Sequence, residues 1–146
     1  MSYEIDHFVW TVPDLEQGCA QIESLFGAAP VRGGSHPGLG TCNASLSLGH
    51  DLYLEIMAPE TPRPGSIGER LAKLDAPGLA TWVIRGSNLD ALAAAAGKDD
   101  VEAVALGPVP TKRVTPEGDL LSCELLFLRQ HKHGGLVPFA IDWQTT

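Results

Sequence analysis

Twice along its 146 residues this chain runs through one order: a strand-like segment, a polar cap, an amphipathic helix and a glycine, then further strand-like segments. The first pass opens on Tyr3–Val12, rich in β-branched and aromatic residues and closed by Pro13, which reads as a strand. Alternation separates Phe8, Trp10 and Val12 from Ile5, His7, Val9 and Thr11; the bulkier set is expected to face a helix, leaving His7 on the other side. Asp14, with Gln17 three positions on, starts a helix in which Leu15, Cys19, Ile22 and Phe26 recur at helical spacing until Gly27 stops it. The second pass opens on Leu79–Arg85, is capped by Ser87 or Asn88, and runs through Leu89, Leu92, Ala93 and Ala96 to Gly97. Such repetition restricts the chain to folds made of two like modules. Between them Pro59, Pro62, Pro64 and Pro77 surround a short helix, with Ser66 and Glu69 as a capping box above Ile67, Leu71 and Leu74, and this reads as a connection.

In the first module a Gly-rich stretch, Gly33–Gly40, reads as a loop and carries His36. Asn43–Leu48 then alternates polar and apolar residues strictly, as does Leu52–Met57, which predicts a hairpin with one wet face. A one-residue slip would turn every side chain to the wrong side, so matching the faces fixes the register. Leu46 should oppose Leu54, Ala44 should oppose Ile56 and Ser45 should oppose Glu55, through a three-residue loop Gly49-His50-Asp51 that sets Leu48 against Leu52. In the second module Thr115-Pro116-Glu117-Gly118 signals a turn between strands at Ala103–Val114 and Leu120–Arg129, and Phe139–Gln144 is a last strand after Pro138.

Charge and composition narrow the function. With 44% hydrophobic residues the chain can build one real core, which predicts a single domain over 1–146: a module at about 1–58, a connection at about 59–77 and a module at about 78–146. A net charge of −8 without a basic cluster argues against nucleic acid and anionic membranes as partners, and for a small ligand or another subunit. No apolar run approaches the roughly 18 residues of a membrane span. The start, Met1-Ser2-Tyr3-Glu4, lacks the regions of a signal peptide, so a cytoplasmic protein is expected. Three well-separated cysteines suggest neither a disulfide framework nor a zinc cluster.

The repeated β-α-β-β-β order resembles the vicinal oxygen chelate superfamily, which includes glyoxalase I, extradiol dioxygenases and bleomycin-resistance proteins. Four blocks are similar, in order, to a glyoxalase-like domain family: Ile5–Trp10, His36–Asn43, Tyr53–Ile56 and Pro138–Trp143. The resemblance implies an α+β fold in which two βαβββ modules form curved mixed sheets around a cleft, with helices outside. It also implies a divalent metal (Mn, Mg, Fe, Ni or Zn) held by the first and last strands of each module. Carried over by position, those sites are His7, Thr81, Glu55 and Asp142. Thr81 departs from the pattern, because a neutral hydroxyl is a poor ligand for a transition metal. His7, Glu55 and Asp142 remain, a set suited to Mn²⁺, Mg²⁺ or Fe²⁺. A homodimer is implied as well, the modules meeting either within one chain or between two.

Two functional expectations follow. In the first the protein is a metal-assisted lyase or isomerase acting on a small oxygenated metabolite, with Glu55 or Asp142 moving the proton. In the second it is a metal-free binding module of the bleomycin-resistance kind, which the threonine at position 81 favours. Glu55 is the residue hardest to explain away, since a carboxylate in an apolar strand is costly to bury without a partner. His36, Asn43, Tyr53, Thr81 and Arg85 are candidate substrate contacts. For His36 the alternative is a solvated loop histidine, for Arg85 an ion pair with a nearby acid, and for Asn43 and Tyr53 plain packing within the sheet. His131 and His133 read as solvated loop residues.

Overall fold

The computed structural model of the protein describes residues 2–96, 98 and 103–145. Along the chain come β1 (Glu4–Thr11), α1 (Leu15–Phe26), β2 (Val31–His36), β3 (Thr41–Gly49), β4 (Leu52–Pro59) and α2 (Ile67–Ala72). Then follow β5 (Gly78–Arg85), α3 (Leu89–Ala95), β6 (Val104–Val114), β7 (Leu120–Arg129), a 3₁₀ turn at Gly134–Leu136 and β8 (Phe139–Trp143). The order is βαβββ twice with α2 between, the α+β arrangement expected from sequence. The caps are the expected ones: Asp14 accepts the Gln17 N–H at 2.9 Å, Ser66 accepts that of Glu69 at 3.1 Å and Asn88 that of Ala91 at 3.3 Å. Gly27 ends α1 in the left-handed conformation, φ 72°. Gly97, expected to end α3, lies outside the described residues.

The chain forms two compact units whose edges differ from those of the sequence modules. One contains residues 8–80 and 113–120. In it β3 pairs antiparallel with both β4 and β2, Val12 donates to the Met57 carbonyl, and Ser35 of β2 pairs with Val114 of β6. The helix α1 covers β3 and β4, and Val12, Leu15, Ile22, Ala44, Leu46, Leu54 and Ile56 form the core, with Phe8 and Trp10 packed against it. That is the facing read from alternation.

The hairpin register is as expected, with Ser45 opposite Glu55, Leu46 opposite Leu54 and Ala44 opposite Ile56. Its loop is shorter. Gly49 pairs with Leu52, the register shifts between Ser47 and Gly49, and His50 and Asp51 both take positive φ (50° and 61°), a primed two-residue turn. Leu48 is the extra residue of the bulge, which restores the register that a two-residue loop alone would lose.

The Gly-rich segment is also different from expectation: it is strand through His36. A Cβ on Gly33 would lie 2.1 Å from Asn43 Oδ1, and one on Gly34 would lie 1.7 Å from the Val114 carbonyl oxygen. These glycines permit close strand approach rather than a turn.

The other unit contains residues 1–7, 81–112 and 121–146. Here β8 pairs parallel with β5 and antiparallel with β7, so the sheet is mixed. The helix α3 packs on β8 through Leu89, with Leu126 and Ala140 completing the core. Among the described residues no helix is long and apolar enough to cross a membrane.

Candidate functional site

On the polar face of β3 and β4, Asn43 and Glu55 are 5% and 3% exposed. The face expected to be wet is therefore closed over at this end, while Ser47 is exposed. Glu55 Oε1 accepts from Asn43 Nδ2 at 2.7 Å, and Asn43 Oδ1 accepts the Gly34 N–H at 3.0 Å. The backbone donor at Gly34 thus fixes which way the amide points, and the amide N–H is turned to the carboxylate. The Arg113 guanidinium stands 4.0 Å from Glu55 Oε1, with its side chain 19% exposed. A cation at that distance offsets part of the cost of burying the carboxylate's charge. Tyr53, two residues before Glu55 and opposite Ser47, shares this face. His36, at the end of β2, is buried, with Nδ1 3.0 Å from Thr41 Oγ1. It is a sheet residue, not a loop residue.

A cavity of about 170 Å³ touches Gly33, Gly34, Asn43 and Thr115. It is smaller than the roughly 300–1,000 Å³ of ordinary ligand pockets, so by itself it holds a fragment of a ligand rather than a whole one.

In the other unit His7 is 4% and Asp6 2% exposed. Asp6 Oδ1 lies 3.0 Å from His7 Nδ1, and the Trp143 indole N–H donates to Asp6 Oδ2 at 3.2 Å. Burial pushes the Asp6 carboxyl upward, but the hydrogen bonds from His7 and Trp143 and the charges of His7 and Arg85 outweigh it, so its pKa lies below the ordinary 3.8. A depressed carboxyl stabilises the fold fully above about pH 4, and that contribution disappears as pH falls through the folded-state value. Asp6→Asn is therefore expected to cost about 1–2 kcal/mol at pH 7 and to weaken the acid dependence of stability below pH 4. Urea melts of both proteins between pH 2.5 and 7 check this; parallel curves would contradict it.

Thr81 donates to the carbonyl of its neighbour Trp82 at 3.3 Å. Arg85 takes the ion-pair alternative, donating to Glu4 Oε2 through Nε at 3.1 Å and a terminal nitrogen at 2.8 Å. Asp142 follows the alternation read from sequence, but the side it occupies is not the expected one. Paired residues share a face. Ile84 lies beside Ala140, Leu126 opposite Ala140 and Glu124 opposite Asp142, and this is the face that packs on α3. Val83, Arg85, Phe139 and Ile141 occupy the other face, where His7 meets Phe139 edge-on with centroids 6.4 Å apart. The small Ala140 is what lets α3 approach, and Asp142 goes with it.

This bears on the metal that the resemblance implied. Among the described residues no group of three or more His, Cys, Asp or Glu side chains is disposed to hold a metal ion. His7 and Asp142 belong to one of the two units and Glu55 to the other. The reading from sequence overlooked Asp6 and Arg113. For Asp6, the signal was a carboxylate inside an aromatic and β-branched strand, the same argument that singled out Glu55. Arg113, next to a turn in a strand with little burial, gave no signal.

A family model for a glyoxalase-like domain matches residues 5–146. No curated protein sequence matches the chain. Among solved structures, a hypothetical protein from Staphylococcus aureus superposes with a TM-score of 0.75 at 19% identity over 99% of this chain, which spans 60% of that protein. A methylmalonyl-CoA epimerase in complex with methylmalonyl-CoA and NH4+ gives 0.68 at 21% identity, over 99% of this chain and 97% of the other. The methylmalonyl-CoA epimerase of Mycobacterium tuberculosis gives 0.64 at 22%, over 94% and 86%. At such identities the likeness shows the fold alone, and it is the vicinal oxygen chelate fold. With nearly its whole length matched by the family model, the chain belongs to the glyoxalase-like domain family.

Proposed function

We propose that the protein is an enzyme that moves a proton on a small oxygenated metabolite, by isomerase or lyase chemistry, with Glu55 as the proton-transferring group. The observation that carries this reading is a carboxylate 3% exposed, oriented by Asn43 and faced by the partly exposed cation of Arg113. A substrate with an acidic hydrogen beside a carbonyl suits this arrangement. Glu55 takes the hydrogen, negative charge develops on the carbonyl oxygen, and Arg113 stabilises it through charge and hydrogen bonds. Returning the proton to either face or to another carbon completes an epimerisation or an isomerisation. Asn43 keeps the carboxylate fixed through the cycle, and Tyr53 contacts the substrate on the same face. The solved methylmalonyl-CoA epimerases support acyl thioesters of branched dicarboxylic acids as the first compounds to try.

A second reading has its own observation. Asn43 and Arg113 already satisfy Glu55, so its burial is accounted for without chemistry, and a binding protein for an anionic small molecule would need the same cation. Incubating the protein in D₂O with a panel of such carbonyl compounds, methylmalonyl-CoA first, separates the two by proton NMR. Enzyme-dependent loss of the α-hydrogen signal supports the enzyme. A compound that binds and keeps its hydrogen supports the binding protein.

A further inference from the structure

Along β3 the polar face opens to solvent from one residue to the next: Asn43 is buried, Ser45 half-buried and Ser47 exposed. Asn43, at the closed end, is committed to Glu55 and the Gly34 N–H. Ser47, at the open end, accepts the Gly49 N–H of the hairpin at 3.3 Å. Ser45 lies between them and stands directly opposite Glu55 in the ladder. Paired residues share a face, with Cβ atoms about 4.5–5.5 Å apart. On its other side Ser45 pairs with Val31 of β2, which is 71% exposed, so this face is open to solvent there. A molecule that reaches Glu55 along β3 therefore passes over Ser45. Among the described residues the Ser45 hydroxyl has no hydrogen-bond partner.

Taking the Glu55 face as the place where the ligand lies, as proposed above, we propose that the Ser45 hydroxyl is the hydrogen-bond donor that takes the ligand's carbonyl oxygen beside Glu55. The dimensions suit this division of work. In a carbonyl compound the oxygen lies about 2.4 Å from the carbon that loses the hydrogen, as bonds of about 1.52 and 1.23 Å require. A base and a donor serving those two atoms must share one face and stand close together, as Glu55 and Ser45 do. A hydroxyl proton turns freely, so it can follow the oxygen as charge develops on it. Such a donor strengthens its bond most when the oxygen is an oxyanion, which lowers the barrier more than it tightens binding of the uncharged compound. Arg113 contributes charge and Ser45 a single directed bond. The ligand this pair selects carries an accepting oxygen two bonds from the acidic hydrogen's carbon, as a ketone, a thioester or a carboxylate does. A compound with a methylene in that place would leave the hydroxyl unpaired and be rejected.

The test compares the full-length wild type with Ser45→Ala, Ser45→Thr and Ser47→Ala in two measurements. One is exchange of the α-hydrogen in D₂O, on the carbonyl compound that the wild type exchanges fastest. The other is calorimetric affinity for 3-nitropropionate at a pH where it is the nitronate, whose paired oxygens carry the charge that an enolate would carry. Ser45→Ala is expected to exchange about 10²-fold more slowly and to bind the nitronate about tenfold more weakly or worse. Its affinity for the uncharged carbonyl compound should change only a few-fold, and its Tm should match that of the wild type. Ser45→Thr keeps the hydroxyl and should recover most of both losses, which a merely structural role for Ser45 would not require. Ser47→Ala should behave as the wild type does. Wild-type protein that does not bind the nitronate, equal nitronate affinity in Ser45→Ala, or an equal loss in Ser47→Ala overturns the proposal. Should Glu55→Gln exchange at the wild-type rate while Ser45→Ala still loses the nitronate, the Ser45 contact stands and the proton-transferring role of Glu55 falls.

Discussion

Gly34→Ala is expected to destabilise the protein by about 4 kcal/mol or more, at the upper end of single substitutions, and to lower Tm by about 10 °C. The added methyl would sit 1.7 Å from the Val114 carbonyl oxygen and 2.8 Å from its carbon, both main-chain atoms. No side-chain rotation relieves such a contact, so β2 and β6 must part where Ser35 pairs with Val114. The Gly34 N–H that orients Asn43 would move with them, which would loosen the support of Glu55. Gly38→Ala is the control, because nothing lies within 4 Å of its Cβ position. Its stability should stay within about 0.5 kcal/mol of the wild type. Thermal melts of the three proteins check this, and Gly34→Ala melting beside the control would mean that the strands do not approach so closely.

Arg113→Met is expected to cost about 2–3 kcal/mol, because it removes the cation that faces a buried carboxylate. The 4.0 Å separation and the partial exposure of Arg113 put this at the lower end for a broken buried pair. Glu55→Gln should cost only about 1 kcal/mol, since a glutamine oxygen still accepts from Asn43 and the abandoned cation can reach water. Combining the two should cost less than the sum of the single changes, as a shared interaction requires. Strictly additive values from urea melts would show that Arg113 and Glu55 do not interact.

The sequence made some of this architecture readable and hid the rest for identifiable reasons. Hairpin register followed from local pattern, because placing Leu46, Leu54, Ala44 and Ile56 on one face leaves a single alignment. The loop was harder to read, since a bulge at Leu48 and a tighter turn give the same register as a longer loop. Gly33 and Gly34 read as loop residues because what demands glycine, Asn43 and the Val114 carbonyl, arrives from elsewhere in the chain. Alternation groups Asp142 with Ala140, yet the packing of α3 decides which side that group occupies. Glu55 stood out locally as a charge in an apolar strand. Its partner Arg113 and the Trp143 that holds Asp6 could be seen only in the folded chain, the latter across 137 residues.

The role of Glu55 is tested most directly by α-proton exchange in D₂O, comparing wild type with Glu55→Gln on whichever carbonyl compound the wild type exchanges fastest. Expected is a loss of about 10²–10⁴-fold in exchange rate, with the affinity for the compound changed only a few-fold because Arg113 and Asn43 remain. Exchange by Glu55→Gln at the wild-type rate would contradict a proton-transferring role for Glu55.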